Sequence, residues 1–497
     1  MSHSTRHGTP GVTGQEPQAV APPSPPAPTV YRWRWAALAA VLVAEAMNLL
    51  DATIVQVAGP VIHTDLGGAD AVIPWFSAAY TLAFALGLLT GARLGDIAGR
   101  RRVFRVGVAA FAAASLACAL APDPEVLIGL RALQGGAAAL VIPQTFGLIR
   151  AMFDGDELPR ALGTIGPVMG LSAVLGPVLG GVLTHADLFG SSWRACFLVN
   201  LPLAAVVLVI ARRLREDRAP VRPRLDPLGT ALAMTGTALV VCPLATGTPG
   251  PGGWAAAGAG AAVLVLFVAH QRRSARQGRA PLVEPALLRG RAFPAALATS
   301  TLFFAVMNGV MMTVVLHLEL GLHRGPLAAG LTLLPWSAGL GAGSWAAGAY
   351  LVPRYGTRVM HAGVAALAVG LVAAILAYRA AAPAAYPAGL PFALAVAGLG
   401  TGLFTPPFFT TALSGVGPQE TGSAAGLLNA VQQLGGTLGL AVVGGVYLTT
   451  DGSPRTAAQA ALGTAGAILA ATALAAALMT ARPRDQEGDL SRQRRAS

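Results

Sequence analysis

The chain has 497 residues, of which 54% are apolar and only 11% are charged. A soluble protein carries roughly a quarter charged residues, so this composition cannot cover a water-exposed surface. A mean hydropathy of +0.61 and repeated apolar runs near the roughly 20 residues that cross a bilayer indicate a polytopic helical membrane protein. Soluble enzymes, secreted scaffolds and disordered chains are excluded.

The formal charge of +12 comes from 34 basic residues, every one an arginine. Such an excess points to nucleic acid only when it gathers on one soluble face. Here it is spread between apolar runs, so no nucleic-acid partner is expected. Cys118, Cys196 and Cys242 lie inside apolar runs, where a thiol packs as a small hydrophobe, and neither a disulfide framework nor metal-ligand spacing is present. Without lysine the chain cannot build a phosphate-binding loop of the G-x-x-x-x-G-K type. No metal and no cofactor are expected, and uphill work has to draw on an ion gradient.

Residues 1–34 are rich in proline, serine, threonine and glycine, a composition that buries too little apolar area to offset the entropy of ordering. They are expected to form a disordered cytoplasmic tail. No apolar core follows Met1, so no cleavable signal peptide is expected and the first span directs insertion itself. Apolar segments then fall near 35–62, 73–92, 104–121, 125–149, 161–186, 194–211, 227–246, 253–270, 293–318, 326–351, 359–380, 388–413, 421–448 and 457–480, which predicts fourteen transmembrane helices. They divide into an N-terminal six-helix bundle (35–211), basic loops with two inserted helices (212–292), a C-terminal six-helix bundle (293–480) and a second cytoplasmic tail (481–497).

Basic residues in short loops are retained in the cytoplasm. With the amino terminus inside, 29 arginines fall in cytoplasmic segments and four, Arg194, Arg324, Arg379 and Arg455, fall outside. Both termini are therefore expected on the cytoplasmic side of the plasma (inner) membrane. An internal repeat agrees with two halves. Gly91, Leu94, Gly99 and Arg101 recur as Gly348, Leu351, Gly356 and Arg358, each 257 residues later, and repeats of this kind mark secondary transporters, whose site lies between the halves.

The first span carries Glu45, Asn48 and Asp51. At about 100° per residue they span a sector about 120° wide, a polar stripe that has to face the bundle interior. Asp51 is the expected proton carrier, with Glu45 a second acid in the same cavity. After the second span, small residues let helix ends approach, and Asp96 with Gly99, Arg100 and Arg101 can form a charge latch that opens when two halves rock. Arg131 lies about six residues inside the fourth span, where an arginine costs about 3 kcal/mol unless it faces protein or water. It reaches a depth similar to Asp51 from the opposite side and is predicted to modulate it.

In the fifth span, Gly170, Gly176, Pro177, Gly180 and Gly181 predict a kink against a neighbouring helix, since proline removes a helical hydrogen bond and glycine permits close approach. Asn308, His317 and Glu319 lie in or near the outer end of the ninth span; a lone histidine there reads as interfacial rather than as a proton carrier. Asn48, Gln134, Asn308, Asn429 and Gln433 are the candidate substrate-cavity residues.

Several of these runs resemble one family. The loop from Gly91 to Arg102 resembles the signature G-x-L-x-D-x-x-G-R-R of the major facilitator superfamily at Asp96, Gly99, Arg100 and Arg101, with Ala92 where a glycine and Ile97 where a basic residue is usual. Arg131 to Gly135 is similar to its fourth-helix pattern R-x-x-Q-G, in which the arginine takes part in proton transfer. Gly170 to Gly181 resembles G-x-x-x-x-x-G-P-x-x-G-G, found in the superfamily's antiporters and generally absent from its importers. LDATIVQVAGP, ending at Pro60, is similar to L-D-x-T-I-V-N-V-A-L-P of the fourteen-span drug:proton antiporters, with Gln56 and Gly59 as departures. Trp193, Arg194, Phe197, Leu198, Asn200 and Pro202, the run from Leu225 to Gly229, and the glycine-rich run from Gly422 to Ala441 extend the resemblance over about residues 36–480.

The resemblance implies an all-α major facilitator fold of two six-helix bundles plus two inserted helices. It also implies a proton-coupled secondary active exporter of drug-like or antibiotic small molecules that works as a monomer by alternating access. Its partners are then a small-molecule substrate, protons and the lipid bilayer, and it has no catalytic residues. An exporter or importer of a specific metabolite on the same fold is the alternative. A membrane enzyme or receptor is disfavoured, because the sequence has no paired metal-ligating carboxylates, no histidine cluster and no soluble domain.

Overall fold

Glycine and proline punctuate the apolar runs, and the helices of the computed structural model begin and end at them. Residues 2–3, 31–153, 157–187, 190–216, 226–245, 250–277, 281, 285–288, 290–382, 385–416 and 421–480 are described. Most of the first expected tail and all of the second lie outside these residues. The long helices are α1 (Arg34–Leu66), α2 (Trp75–Ala98), α3 (Arg100–Ala119), α4 (Pro124–Val141), α5 (Ile165–Ala186), α6 (Asn200–Ile210) and α7 (Pro227–Ala245). They continue with α8 (Pro251–Arg276), α9 (Ala292–Leu316), α10 (Pro326–Ala346), α11 (Arg358–Ala380), α12 (Leu390–Leu413), α13 (Thr421–Thr449) and α14 (Pro454–Thr480). Among the described residues there is no strand.

The helix ends follow local chemistry. Asp123 caps α4 by accepting from the Val126 N–H at 2.8 Å, and Pro124, which has no N–H to satisfy, opens the first turn. α2 ends at Gly99, whose φ of +99° only glycine adopts readily, and α3 starts at the next residue.

Twelve helical segments among the described residues are long and apolar enough to cross a membrane, not the fourteen expected. The apolar stretch of α7 reaches only from Pro227 to Val240. In α10, glycine, serine, proline and tryptophan dilute the leucines and lower the mean hydropathy.

The helices pack in two sets. In the first, α2 and α3 lie on α4, and α1 lies on α5 and α6; in the second, α10 and α11 lie on α12, and α9 lies on α13 and α14. A core of Ile54, Phe76, Trp193 and Phe197 fills the first set. In the second, Phe303 stacks on Phe404 at 3.7 Å between ring centroids, and Phe404 stacks on Phe408 at 5.1 Å.

Two extensive pairings join the sets, α5 on α10 and α2 on α13, with lighter contacts of α1 to α9 and α10. Thr81 and Thr437 share a buried hydrogen bond of 2.7 Å across this seam, and the Gln56 side-chain amide donates to the Asn308 carbonyl at 3.2 Å. Gln56, Thr81, Asn308, Gly181 and Pro326 all lie in the half of their helices farther from the Arg34 end of α1. The seam is therefore closed toward that membrane face. α8 is the outlier: protein covers 6% of its apolar window, against 78% for the Ala292–Gly321 span.

Candidate functional site

Asp51 on α1 has no exposed surface, and neither has Arg131 on α4. Arg131 Nη1 donates to Asp51 Oδ2 at 2.5 Å and to Gln134 Oε1 at 2.6 Å, while its Nε donates to the Phe76 carbonyl at 2.8 Å. The other Asp51 oxygen, Oδ1, accepts from Gln134 Nε2 at 2.8 Å and from Asn200 Nδ2 at 2.7 Å. Both amides also reach Ser115 Oγ on α3, at 2.8 Å from Gln134 and 3.3 Å from Asn200. One carboxylate thereby ties together α1, α3, α4 and α6.

The arginine is held on its other sides by aromatic faces. Its guanidinium carbon lies 4.4 Å from the centroid of Tyr80 and 5.6 Å from that of Phe197. The Tyr80 hydroxyl donates to Asn48 Oδ1, so the expected cavity residue Asn48 meets the network through Tyr80. Arg131 Nη2 has no hydrogen-bond partner among the described residues. A cation buried this deeply is tolerable because the carboxylate faces it, whereas an unpaired ion would be strongly unfavourable. The pair is thus a charge balance that a single proton on Asp51 would upset.

The sequence brought Asp51 and Arg131 to similar depth, and the structure joins them; Gln134, expected in the substrate cavity, is instead fully buried as the third member of this network. Glu45 is buried too, but it faces Thr145 and makes no bond to Asp51 or Arg131. Ser115, Tyr80 and the network role of Asn200 were not anticipated. The only sequence signal for them was a polar residue inside an apolar run, such as Asn200 before Pro202.

At the junction of α2 and α3, Asp96 pairs with Arg100 at 2.9 Å, one turn away. Arg101 reaches the segment after α6, donating its backbone N–H to Glu216 at 3.0 Å and its side chain to the Leu214 carbonyl at 3.2 Å. Both contacts stay within the first set. Arg93 instead donates to the Pro281 carbonyl, ahead of α9, at 2.8 Å.

The glycine–proline stretch of α5 lies on the seam. A Cβ at Gly176 would fall 1.8 Å from Thr53 Oγ1 of α1, and one at Gly330 of α10 would fall 2.3 Å from the Pro177 carbonyl. Gly180 meets the Ile54 backbone and Gly181 meets Pro326 and Leu327, whereas Gly170 faces open space. α5 is therefore pressed between α1 on one side and α10 on the other, and a proline inside it sets its course.

Asn308 donates to the Phe304 carbonyl of its own helix at 3.0 Å. Asn429 and Gln433 are half-buried on α13, and their side chains make no hydrogen bond among the described residues. His317 is not interfacial as expected. It is 2% exposed, bonds the Pro454 carbonyl at 3.2 Å through Nδ1, and packs edge-on against Tyr378 at 4.6 Å. A π-helical turn over His317–Gly321 turns it inward, and the same turn buries Glu319, whose Oε1 has no partner among the described residues.

Residues 41–440 match the family model of the Major Facilitator Superfamily. A probable actinorhodin transporter of Streptomyces coelicolor is 44% identical over 470 residues, covering 93% of this chain and 80% of that protein. The puromycin resistance protein pur8 of Streptomyces alboniger is 34% identical, covering 82% and 81%, and the multidrug resistance protein Stp of Mycobacterium tuberculosis is 33% identical, covering 80% and 73%. Among solved structures, an auto-inhibited POT family peptide transporter superposes with a TM-score of 0.62 at 14% identity, covering 90% of this chain and 98% of that one. A bacterial homologue of the human lysosomal transporter Spinster, in an inward-facing and occupied conformation, gives 0.61 at 15% identity, covering 90% and 96%. These likenesses carry the fold. The chain is a polytopic membrane transporter, not an enzyme, and belongs to the Major Facilitator Superfamily.

Proposed function

We propose that the protein is a proton-coupled exporter of drug-like or antibiotic small molecules, an antiporter that alternates access between two six-helix bundles. The carrying observation is the fully buried pair of Asp51 and Arg131. In a fully buried site, protonating the carboxylate removes the arginine's counter-ion, and a proton gradient can drive that change. The relatives' roles in actinorhodin transport and in puromycin and multidrug resistance support an antibiotic-like substrate and export as the direction. α7 and α10 complete fourteen spans, with both termini in the cytoplasm of a cell whose plasma membrane holds the protein as a monomer. On that orientation, the seam contacts of α5, α10, α2 and α13 lie toward the outside, and the partly buried Asn48, Asn429 and Gln433 are the candidate substrate contacts. No bound cofactor enters the cycle.

The test uses everted membrane vesicles from an efflux-deficient host, with ethidium, puromycin and a wider antibiotic panel as probes. Acidifying the vesicle interior should drive uptake of at least one of them, and collapsing the pH difference should abolish it. Uptake that follows a sodium gradient instead, or a reporter fused near residue 250 that reads cytoplasmic, would overturn the reading.

A further inference from the structure

The hydrogen bonds around Asp51 leave its two oxygens unequal. Arg131 can only donate, so the Gln134 oxygen has to face Nη1 and the Gln134 NH2 has to face Asp51. That amide cannot flip while the arginine stays. Asn200 likewise turns its NH2 toward the carboxylate, and its second N–H points to Ser115. Oδ1 thus receives two N–H donors and has both lone pairs engaged. Among the described residues Oδ2 receives only Arg131 Nη1, at 2.5 Å, which leaves it one lone pair.

The position of an added proton decides what happens to the arginine. On Oδ1 it would leave Oδ2 as a carbonyl oxygen, still a good acceptor for Nη1. On Oδ2 it turns the arginine's own acceptor into a hydroxyl, a poorer acceptor than a carbonyl oxygen. An O–H bond forms on the open lone pair of Oδ2, the ionic Nη1–Oδ2 hydrogen bond becomes a weak one to a neutral hydroxyl, and Arg131 keeps its bonds to Gln134 and Phe76. Nη2, which has no hydrogen-bond partner among the described residues, is the end of the guanidinium that can take up a new one.

We infer that Asn200 is a positioning residue for proton coupling: with Gln134 it blocks Oδ1, so that every proton taken up by Asp51 arrives on the oxygen that holds Arg131. Without Asn200, Gln134 alone blocks one lone pair of Oδ1 and a proton can bind while the arginine stays. The other ionisable groups that act in this neighbourhood are Glu45 from α1, Tyr80 from α2, Cys118 from α3 and Cys196 from the turn before α6. None of them bonds either Asp51 oxygen. The inference rests on the Asp51–Arg131 switch proposed above and adds to it the means by which protonation and release are kept from separating.

Acid-induced infrared difference spectra of the purified full chain in detergent test it without needing a substrate. Asp51→Asn identifies the carboxyl band, and 15N-arginine labelling with Arg131→Lys identifies the guanidinium band. In the wild type both bands should change together on acidification. In Asn200→Leu the Asp51 carboxyl band should persist while the Arg131 band change falls at least threefold. Asn200→Ser, too short to reach Oδ1, should behave the same way and serves if the leucine variant aggregates on size exclusion. Full-amplitude guanidinium change in the Asn200 variants, or loss of both bands, overturns the role of Asn200. A guanidinium change that survives Asp51→Asn, or its absence in the wild type, instead overturns the switch itself and the inference with it.

Discussion

Gly99 and Gly356 stand 257 residues apart in the chain, and both hold the backbone at positive φ, +99° and +57°, just before an arginine-started helix. The weak sequence repeat is therefore repeated in backbone conformation: a helix, a glycine turn that other residues adopt only with strain, and a helix returning across the membrane. The surroundings have diverged. Pro353 stands where Asp96 would recur, and the aspartate–arginine pair exists only in the first copy.

Alanine at either glycine should cost about 1–3 kcal/mol, the usual strain of a non-glycine residue in such a region. Gly348→Ala should be close to neutral, because a Cβ there meets nothing within 4 Å. Thermal midpoints of the detergent-solubilised protein, read by fluorescence-detected size exclusion, check the contrast.

Removing one member of the Asp51–Arg131 pair should be worse than removing both charges. Arg131→Ala leaves the carboxylate buried without a cation and should destabilise by about 3–5 kcal/mol. Asp51→Asn combined with Arg131→Gln should recover part of that loss. Neither form should support pH-driven export, so stability and transport should separate in the double variant. A thermal-stability cycle run beside vesicle uptake checks both.

At the seam, bulk should act through motion. Gly176→Leu, Pro177→Ala and Gly330→Val alter the surfaces at which α5 meets α1 or α10, and each should reduce efflux by roughly tenfold or more while membrane abundance stays near wild type. Gly170→Ala, in open space, should export normally. Abundance blots paired with uptake rates distinguish a coupling defect from a folding one.

Asp226 links the inserted pair α7 and α8. Partial burial pushes its carboxyl up, but the Gly229 N–H, His270 and Gln271 bond it and together hold it below the usual carboxylate range. A folded pKa below the unfolded one stabilises above about pH 4 and is lost as pH falls further. Asp226→Ala should therefore lower the thermal midpoint at pH 7 and lose most of that difference below about pH 4.

The sequence made the architecture legible because the bilayer leaves so few solutions: runs of about 20 apolar residues must be helices, and arginine placement orders their ends. It also made the pairing of Asp51 with Arg131 legible, since two charges at one depth in an apolar medium have little choice of partner. Asn200 and Ser115 were hidden because one uncharged polar residue per helix is common, and only packing shows that four helices aim theirs at one point. Glu45 was legible as a second buried acid about 9 Å along α1 from Asp51, but the group it faces was not: Thr145, a single hydroxyl on another helix, is found only by packing. α7 and α10 are the helices that length and hydropathy alone do not single out as spans, because glycine, serine and threonine between their apolar residues lower their hydropathy.

The nearly bare flank of α8 bears on how this protein can change over evolutionary time. Trp254, Val265 and Leu266 are more than half exposed. A lipid tail accepts any apolar surface, so mutations there are filtered by hydrophobicity alone, while α9, enclosed by α13 and α14, is filtered by the volume of each side chain. Across descendants of this gene, α8 should drift freely in spelling while keeping its oiliness, and α9 should change only when a neighbour changes with it.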